Sequence, residues 1–482
     1  MTTITRFAPS PTGTLHIGGV RTALFNYVYA KQNDGLFLIR IEDTDRERST
    51  KEYEKNILDN LISIGLSPDK EPIHQSTRND IYTKAAEKII ESGNAYWCDC
   101  SPETLEAMRN EQSAAGKKPM YDGRSRNLGL KRSNKTVLRL ATPENGDIIV
   151  NDLIRGEIKF QNNELDDLIL YRSDWTPSYH LCNVVDDYEQ NVTTVIRGED
   201  HISNTPRQIH IQQALGYPPL EYAHLPLVLG DDKKRLSKRH AATSLDEYQS
   251  EGYLDVSIIN TLARLGWSGG ENEVFNLEEL IRDFEIKEVQ KAGAIFDLTK
   301  LDWINSQHLS QLDQASFKEV LMPFIDNLNI DYSDYDQLDE LIESMRSVKP
   351  NLRLIAQALI PYIGNFKDYD CGYTSVGTSP FNSLLMCNDF STLFTFIPIS
   401  PLYTQVELMW LVHKDAEEGK DYDIEEMKWM WDVTTIADKR IIEDNQKGVL
   451  SKKYVPGPLS QMERGLEKFK SWYLRHLENS IS

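Results

Sequence analysis

The sequence predicts an α/β protein: a parallel sheet split by an insertion, then helices, then an α+β tail. Three observations predict it. A strand, a glycine-rich turn, a helix and a second strand fill the first forty or so residues, the texture changes to short strands and basic loops after residue 95, and aromatic, β-branched runs begin near residue 366. In the first unit, ITRFAPS (4–10) reads as a buried strand, PTGTLHIGG as a turn, and Val20 to Lys31 as a helix with Leu24, Phe25 and Val28 on one side. LFLIRIED follows as the second strand. Such a βαβ unit implies a parallel sheet with a ligand at its carboxyl edge.

Further along, helical patterns cover roughly 50–65 and 77–93. Between Ala95 and about Asp174 short strands and basic loops are expected, after which YHLCNVVDD and VTTVIRGED both read as strands that restore the α/β rhythm. The middle stretch is thus an insertion within a split domain. Beyond Lys238 helices are expected near 244–252, 254–265, 277–284 and 298–308, broken by GWSGGENE, and they continue through SFKEVLMPFIDNL and LDELIESMRSV to about Tyr362. From Phe366, CGYTSVGTSPFNSLLMCNDFSTLFTFIPIS has the composition of antiparallel strands.

A chain of 482 residues, 40% hydrophobic and 26% charged, can bury several cores and should divide into roughly two to four domains. It holds no long apolar run for a membrane span, and its start, MTTITRFAPSP, lacks the features of a secretory signal, so a cytoplasmic protein without a membrane partner is expected. Five scattered cysteines, Cys98, Cys100, Cys182, Cys371 and Cys387, read as reduced thiols; only Cys98 and Cys100 suggest a site. A formal charge of −21 excludes a nonspecific polyanion binder, and no DNA partner is expected. Nucleic-acid contact must be local. The basic stretches are 117–139 and the cluster Lys233, Lys234, Arg235, Lys238 and Arg239.

Two segments carry chemistry. In PSPTGTLHIGG (9–19) the backbone amides of a helix start face an anion, Gly18 and Gly19 have no Cβ to hold a nucleotide away, and His16 can donate to a phosphate oxygen. KKRLSKRH (233–240) crowds cations into one turn. An anion relieves their repulsion, and the charge that develops on a leaving pyrophosphate is such an anion. Alone, either segment is an ordinary surface loop.

Together, HIGG and RLSKR resemble the two signatures of class I aminoacyl-tRNA synthetases. RFAPSPTGTLHIGGVRTALFNY, LIRIEDTDRER, YDGRSRN, YHLCNVVDD, VIRGEDHISNTPRQIHI and HLPLVLGDDKKRLSKRH resemble, in order, the bacterial glutamyl-tRNA synthetase family, from about Ile4 to His308. The resemblance implies a Rossmann-type catalytic domain, ATP with magnesium on its phosphates, and L-glutamate and tRNA(Glu) as partners. It implies that Arg6 and Arg197 meet the substrate carboxylates, that Glu42 holds its ammonium, and that Ala8, Ser10, Tyr179 and Asn183 complete the glutamate pocket. His16, Gly18, Gly19, Asp200, Leu236, Ser237 and Lys238 are implied for ATP and its activation. No side chain is needed as a nucleophile, because the substrate carboxylate attacks the α-phosphate and the adenylate then meets the tRNA hydroxyl.

The sequence departs from the family in three places. Arg235 stands where the second signature usually begins with lysine. Many relatives hold zinc on a Cys-x-Cys and a later Cys-x-His pair, but here Ser125 and Asn127 occupy the later positions, and His74 or Asp99 could replace them only through an unusual loop, so no zinc is expected. From about Phe366 the chain resembles the C-terminal part of the large subunit of Rieske-type oxygenases, with Asp438 in the place of an iron-binding carboxylate. The iron-sulfur ligands and the upstream histidine pair are missing, and His413 and His476 are the tail's only histidines.

The expected organisation is therefore a Rossmann half at 1–95, an acceptor-stem-binding insertion at 96–174, a second half with the RLSKR loop at 175–240, a helical stem-contact region at 241–310, a shortened anticodon-binding region at 311–365, and an oxygenase-like fragment at 366–482. The expected activity is glutamate-tRNA ligation with impaired anticodon recognition. Its alternatives are a catalytically weak tRNA-binding fusion and an iron-dependent oxygenase.

Overall fold

The structure, a computed structural model, describes residues 2–328 except 46, 231, 235, 237–243 and 271, then 339, 342, 343, 346, 350–363 and the strands between 374 and 412, with 418. Two compact units divide the chain, Met1–Leu321 with Arg346–Ile355, and Met322–Met345 with Ala356–Ser482.

The first unit begins as predicted. Strand β1 (Ile4–Phe7) pairs in parallel with β2 (Leu36–Ile41), and helix α1 (Ile17–Gln32) crosses between them. Its apolar face, with Val20, Leu24, Phe25 and Val28, is fully buried in the main core. α2 (Lys51–Ser63) and α3 (Asn79–Glu91) lie where the periodicity placed them. The short β3 (Ile73–His74) extends the sheet beside β2.

In the insertion, β4 (Ala95–Cys98), β5 (Val137–Leu140) and β8 (Ile169–Tyr171) form an antiparallel sheet. A helix that the composition did not suggest, α4 (Pro102–Ala114), starts at Ser101, whose hydroxyl caps Thr104 N–H, with proline in the first turn. β6 (Asp147–Asp152) and β7 (Gly156–Gln161) instead join the sheet of β9 (Thr194–Gly198) and β10 (Glu221–Leu225), in the order β7-β6-β10-β9. β9 meets β1 where Thr193 N–H donates to Ile4 O at 2.9 Å.

One expectation is corrected: YHLCNVVDD is not a strand but helix α5 (Tyr179–Glu189). Val184 and Val185 suggest a strand, but Tyr179, Asn183, Asp186 and Asp187 fall at i, i+4, i+7 and i+8, a helical stripe. Tertiary pairing of that stripe with arginines outweighs the weak β-propensity of two valines.

α6 (Thr205–Leu215) precedes β10, and β11 (Val228–Leu229) pairs with β12 (Ala294–Ile295). The helices α7 (Leu245–Ser250), α8 (Asp255–Arg264), α9 (Leu277–Asp283), α10 (Leu298–Gln311) and α11 (Gln314–Asp326) match the expected segments. α7 and α9 each open with a capping box, Ser244 with Glu247 and Asn276 with Glu279. A further helix spans Leu352–Ile363.

The second unit contains an antiparallel meander of β13 (Thr374–Ser379), β14 (Asn382–Met386), β15 (Ser391–Ser400) and β16 (Tyr403–Leu411), as its composition implied. Among the described residues no helix is long and apolar enough to cross a membrane.

Candidate active site

The carboxyl ends of β1, β2 and β9 and the first turns of α1 and α5 surround an open cavity of about 840 Å³. It lies where a parallel sheet with helical crossovers leaves backbone amides and side chains free to meet a ligand. Its walls include Arg6, Ala8 and Ser10 from the end of β1, Glu42 after β2, and Tyr179 and Asn183 from α5. Arg197, Asp200 and Leu236 also line it, with His16, Gly18 and Gly19. Every described residue that the sequence singled out for glutamate or ATP is therefore at one cavity. Ser237, Lys238 and Asp438 lie outside the described residues.

The HIGG turn has a specific geometry. His16 caps α1, its Nδ1 accepting Gly19 N–H at 3.2 Å, which puts the ring proton of the neutral imidazole on Nε2. A Cβ at Gly18 would stand 3.1 Å from His16 Nδ1, so the glycine keeps room for the ring as well as for a ligand. After β11 the chain reverses, and Leu236 N–H donates to Val228 O at 3.0 Å. Ser244 then forms a bridge with His16, and Leu245 N–H donates to Leu15 O at 3.1 Å. The two residues that flank 237–243 are thus both tied to the cavity wall.

A continuous chain of buried polar side chains runs under the cavity. Arg6 Nε donates to Asp187 Oδ1 at 2.9 Å, and Arg40 Nη1 donates to the same oxygen at 2.6 Å. Arg40 Nη2 reaches Glu42 Oε1 at 3.3 Å, which also accepts from Asn183 Nδ2 at 3.0 Å. Asn183 Oδ1 accepts from Gln208 Nε2 at 3.3 Å, and Gln208 Oε1 accepts from Arg197 Nη1 at 2.7 Å.

Charge is unevenly matched along this chain. Arg6 and Arg40 share Asp187, whereas Arg197, only 5% exposed, forms no ion pair among the described residues. Its other partners are neutral: Thr205 Oγ1 at 2.8 Å and His224 Nε2 at 3.2 Å. Burial lowers its affinity for its own proton, as desolvation of a cation must. Burial likewise pushes the Glu42 carboxyl above the usual range, against the pull of Arg40 and Arg6. His180 and His201 are pushed down to about 4, by burial and then by Arg207 and Arg197 respectively, and so stay neutral near pH 7.

Sequence reasoning missed Asp187, Arg40, Gln208, His224 and Asp152. The helical stripe in YHLCNVVDD was a usable signal for Asp187; Arg40, His224 and Asp152 depend on strand register and Gln208 on the packing of α6, which no local pattern carries.

The Cys-x-Cys site does not fit zinc. Cys98 is buried and Cys100 half-buried, with Cys100 Sγ 3.7 Å from Ser125 Oγ, while Asn127 is exposed. Burial pushes the Cys98 thiol up, but hydrogen bonds from Tyr121, Ser125, the Cys100 backbone and Arg139 outweigh it and bring the thiol down to about 7. His74, considered as a substitute ligand, is held by Glu54 at 2.7 Å. Two thiols, a hydroxyl and an exposed amide are not a zinc donor set. For magnesium, no cluster of three His, Cys, Asp or Glu side chains suited to a metal occurs among the described residues.

Comparison with known proteins places these features in context. Residues 2–303 match the model for tRNA synthetases class I (E and Q), catalytic domain, and residues 366–479 match that for the ring hydroxylating alpha subunit (catalytic domain). The glutamate–tRNA ligase of Thermodesulfovibrio yellowstonii is 44% identical over 369 residues, covering 76% of this chain and 79% of the relative. That of Nitrosospira multiformis is 49% identical over 323 residues, covering 67% and 70%. A solved glutamate tRNA ligase from Elizabethkingia meningosepticum, described in complex with its amino acid, aligns with a TM-score of 0.69 at 34% identity, over 74% of this chain and 79% of that one.

Proposed function

The chain belongs to the class I tRNA synthetases of the E and Q group, and from that premise we infer that it activates L-glutamate with ATP and transfers it to the terminal adenosine of tRNA(Glu). One observation carries the choice of substrate: a buried guanidinium at the cavity, Arg197, has no carboxylate partner among the described residues. An isolated buried cation is costly, and a ligand carboxylate relieves that cost while an amide does not. Arg197 therefore takes the glutamate side chain, and Arg6, already shared with Asp187, adds positive field. Glu42, beside Tyr179 and Asn183, receives the ammonium. His16, through its Nε2 proton, and the amides of Gly18 and Gly19 hold the ATP phosphates, with Asp200, Leu236, Ser237 and Lys238 completing that end. Magnesium would neutralise phosphate charge when bound with ATP; no cage of side chains for it occurs among the described residues. A cytoplasmic location fits this reaction.

The decisive assay is ATP–pyrophosphate exchange with glutamate and tRNA(Glu) present, compared with glutamine in place of glutamate. Exchange with neither amino acid, or equal exchange with both, contradicts the reading.

The raised pKa of Glu42 sets a pH dependence. A carboxyl whose pKa is raised protonates before an exposed one as pH falls, so the ammonium anchor is lost first. KM for glutamate should rise as pH is lowered toward Glu42's pKa, and Glu42→Gln should show high KM with a flat profile. A wild-type KM that stays constant down to the onset of acid unfolding removes Glu42 from this role.

The tail supplies no chemistry in this reading. Residues 413–446 are rich in Asp and Glu, a composition that repels a phosphate backbone. Charging should be slow and weakly sensitive to the anticodon, and a chain ending after Ile363 should charge tRNA(Glu) as the full chain does. Strong discrimination against an anticodon-swapped transcript by the full chain alone would give the tail a part in recognition.

A further inference from the structure

Three parallel strands place Asp152, His224 and Arg197 side by side. β10 lies between β6 and β9, with Tyr222 opposite Asp152 and His224 opposite Arg197. The three residues are 4%, 0% and 5% exposed, so water does not order them. Arg197 Nε reaches His224 Nε2 at 3.2 Å, and His224 Nδ1 lies 2.6 Å from Asp152 Oδ2. A guanidinium only donates. Nε2 must therefore be the accepting nitrogen, the proton must sit on Nδ1, and Asp152 must receive it.

Asp152 is itself fixed. Its Oδ1 accepts from the backbone N–H groups of Ile154 at 3.0 Å and Arg155 at 2.8 Å, and its Oδ2 also accepts from His224 N–H at 3.1 Å. Rigidity thus passes from the backbone through the carboxylate and the imidazole to the guanidinium. Thr205 and Gln208 hold the terminal nitrogens of the same group.

We propose that Asp152 and His224 are positioning residues for substrate recognition: a carboxylate fixes the imidazole tautomer, and the neutral imidazole orients Arg197 without cancelling its charge. The contrast with Arg6 gives the physical reason. A carboxylate placed directly on Arg197, as Asp187 is on Arg6, would hold the ion equally well but would neutralise the charge that the substrate needs. Setting the imidazole between them keeps the carboxylate one residue away and leaves the cation for the ligand. The proposal rests on the assignment of Arg197 to the glutamate carboxylate.

The test compares four variants of the full chain in ATP–pyrophosphate exchange: Asp152→Asn, His224→Leu, His224→Gln and Arg197→Lys. In Asp152→Asn the amide turns a donor toward Nδ1, which reverses the tautomer and points an N–H at Arg197. Asp152→Asn and His224→Leu should raise the KM for glutamate about tenfold, the scale of one hydrogen bond to a charged group, while KM for ATP changes less than about twofold. His224→Gln keeps an acceptor near the position of Nε2 and should recover most of the loss. If Asp152→Asn and His224→Leu raise both KM values alike, or leave that for glutamate unchanged while Arg197→Lys raises it, the relay is wrong and the assignment of Arg197 stands. If Arg197→Lys itself leaves the glutamate KM unchanged, the assignment falls and the relay with it.

Discussion

Replacing Asp187 with alanine should cost the first unit about 3–5 kcal/mol, the scale for removing one partner of a buried ion pair. Asp187 is 3% exposed and offsets two guanidiniums, those of Arg6 and Arg40, which are 3% and 0% exposed. Without it, two buried cations face each other with only Glu42 and Asp186, among the described residues, near Arg40 at 3.3 and 4.0 Å. The pH dependence of the wild type has a defined sign. Burial pushes the Asp187 carboxyl up, but Arg6 and Arg40 outweigh it and hold the pKa below the usual carboxylate range. Its contribution is therefore complete above the unfolded value of about 3.9 and is lost as pH falls through the lower folded value. Urea unfolding of Asp187→Ala and Asp187→Asn, followed by tryptophan fluorescence, measures the effect. A midpoint for Asp187→Ala equal to that of the wild type would mean that the arginines find other partners.

Lys238→Ala should slow glutamate activation by about a hundredfold or more, as expected when a contact to charge developing in the transition state is lost. Lys238 is the central cation of RLSKR. Leu236 and Ser244, the residues on either side of 237–243, are fastened to Val228 and His16 at the cavity. The loss should fall on kcat for pyrophosphate exchange more than on KM for glutamate, because charge accumulates as the pyrophosphate leaves. Unchanged exchange in the variant would remove Lys238 from the reaction.

Much of the candidate site was legible because its pieces are local. HIGG sits between a strand and a helix that each announce themselves by spacing, and its chemistry, a helix N-terminus with no Cβ in the way, follows from eleven consecutive residues, 9–19. The zinc question was legible for the same reason: Ser125 and Asn127 are residue identities, and no fold turns a serine and an amide into partners for two zinc thiolates. The change of character near residue 366 could be read from composition alone, and its strands are antiparallel as expected.

Arg6 and Arg197 looked equivalent in sequence, since both are arginines at the ends of apolar strands. Only the structure separates them. Asp187, 181 positions from Arg6, reaches it because α5 packs its polar stripe against the ends of β1 and β2. The reading of YHLCNVVDD as a strand hid this pairing, because a strand would have turned Asp186 and Asp187 to opposite faces. Arg197 instead meets a histidine on the adjacent strand and, through it, a carboxylate on the strand beyond.

By itself the sequence determined the reaction class, the glycine-rich turn that opens the first helix, the unfit zinc site and the point where a second family begins, since each depends on residue identity or on spacing within a few turns of chain. The tertiary structure alone decided which buried arginine is paired with a carboxylate and which meets a neutral imidazole. Those outcomes depend on strand register and helix packing, which bring together groups 27 to 181 positions apart, and a buried charge is set by whichever group the fold places within reach.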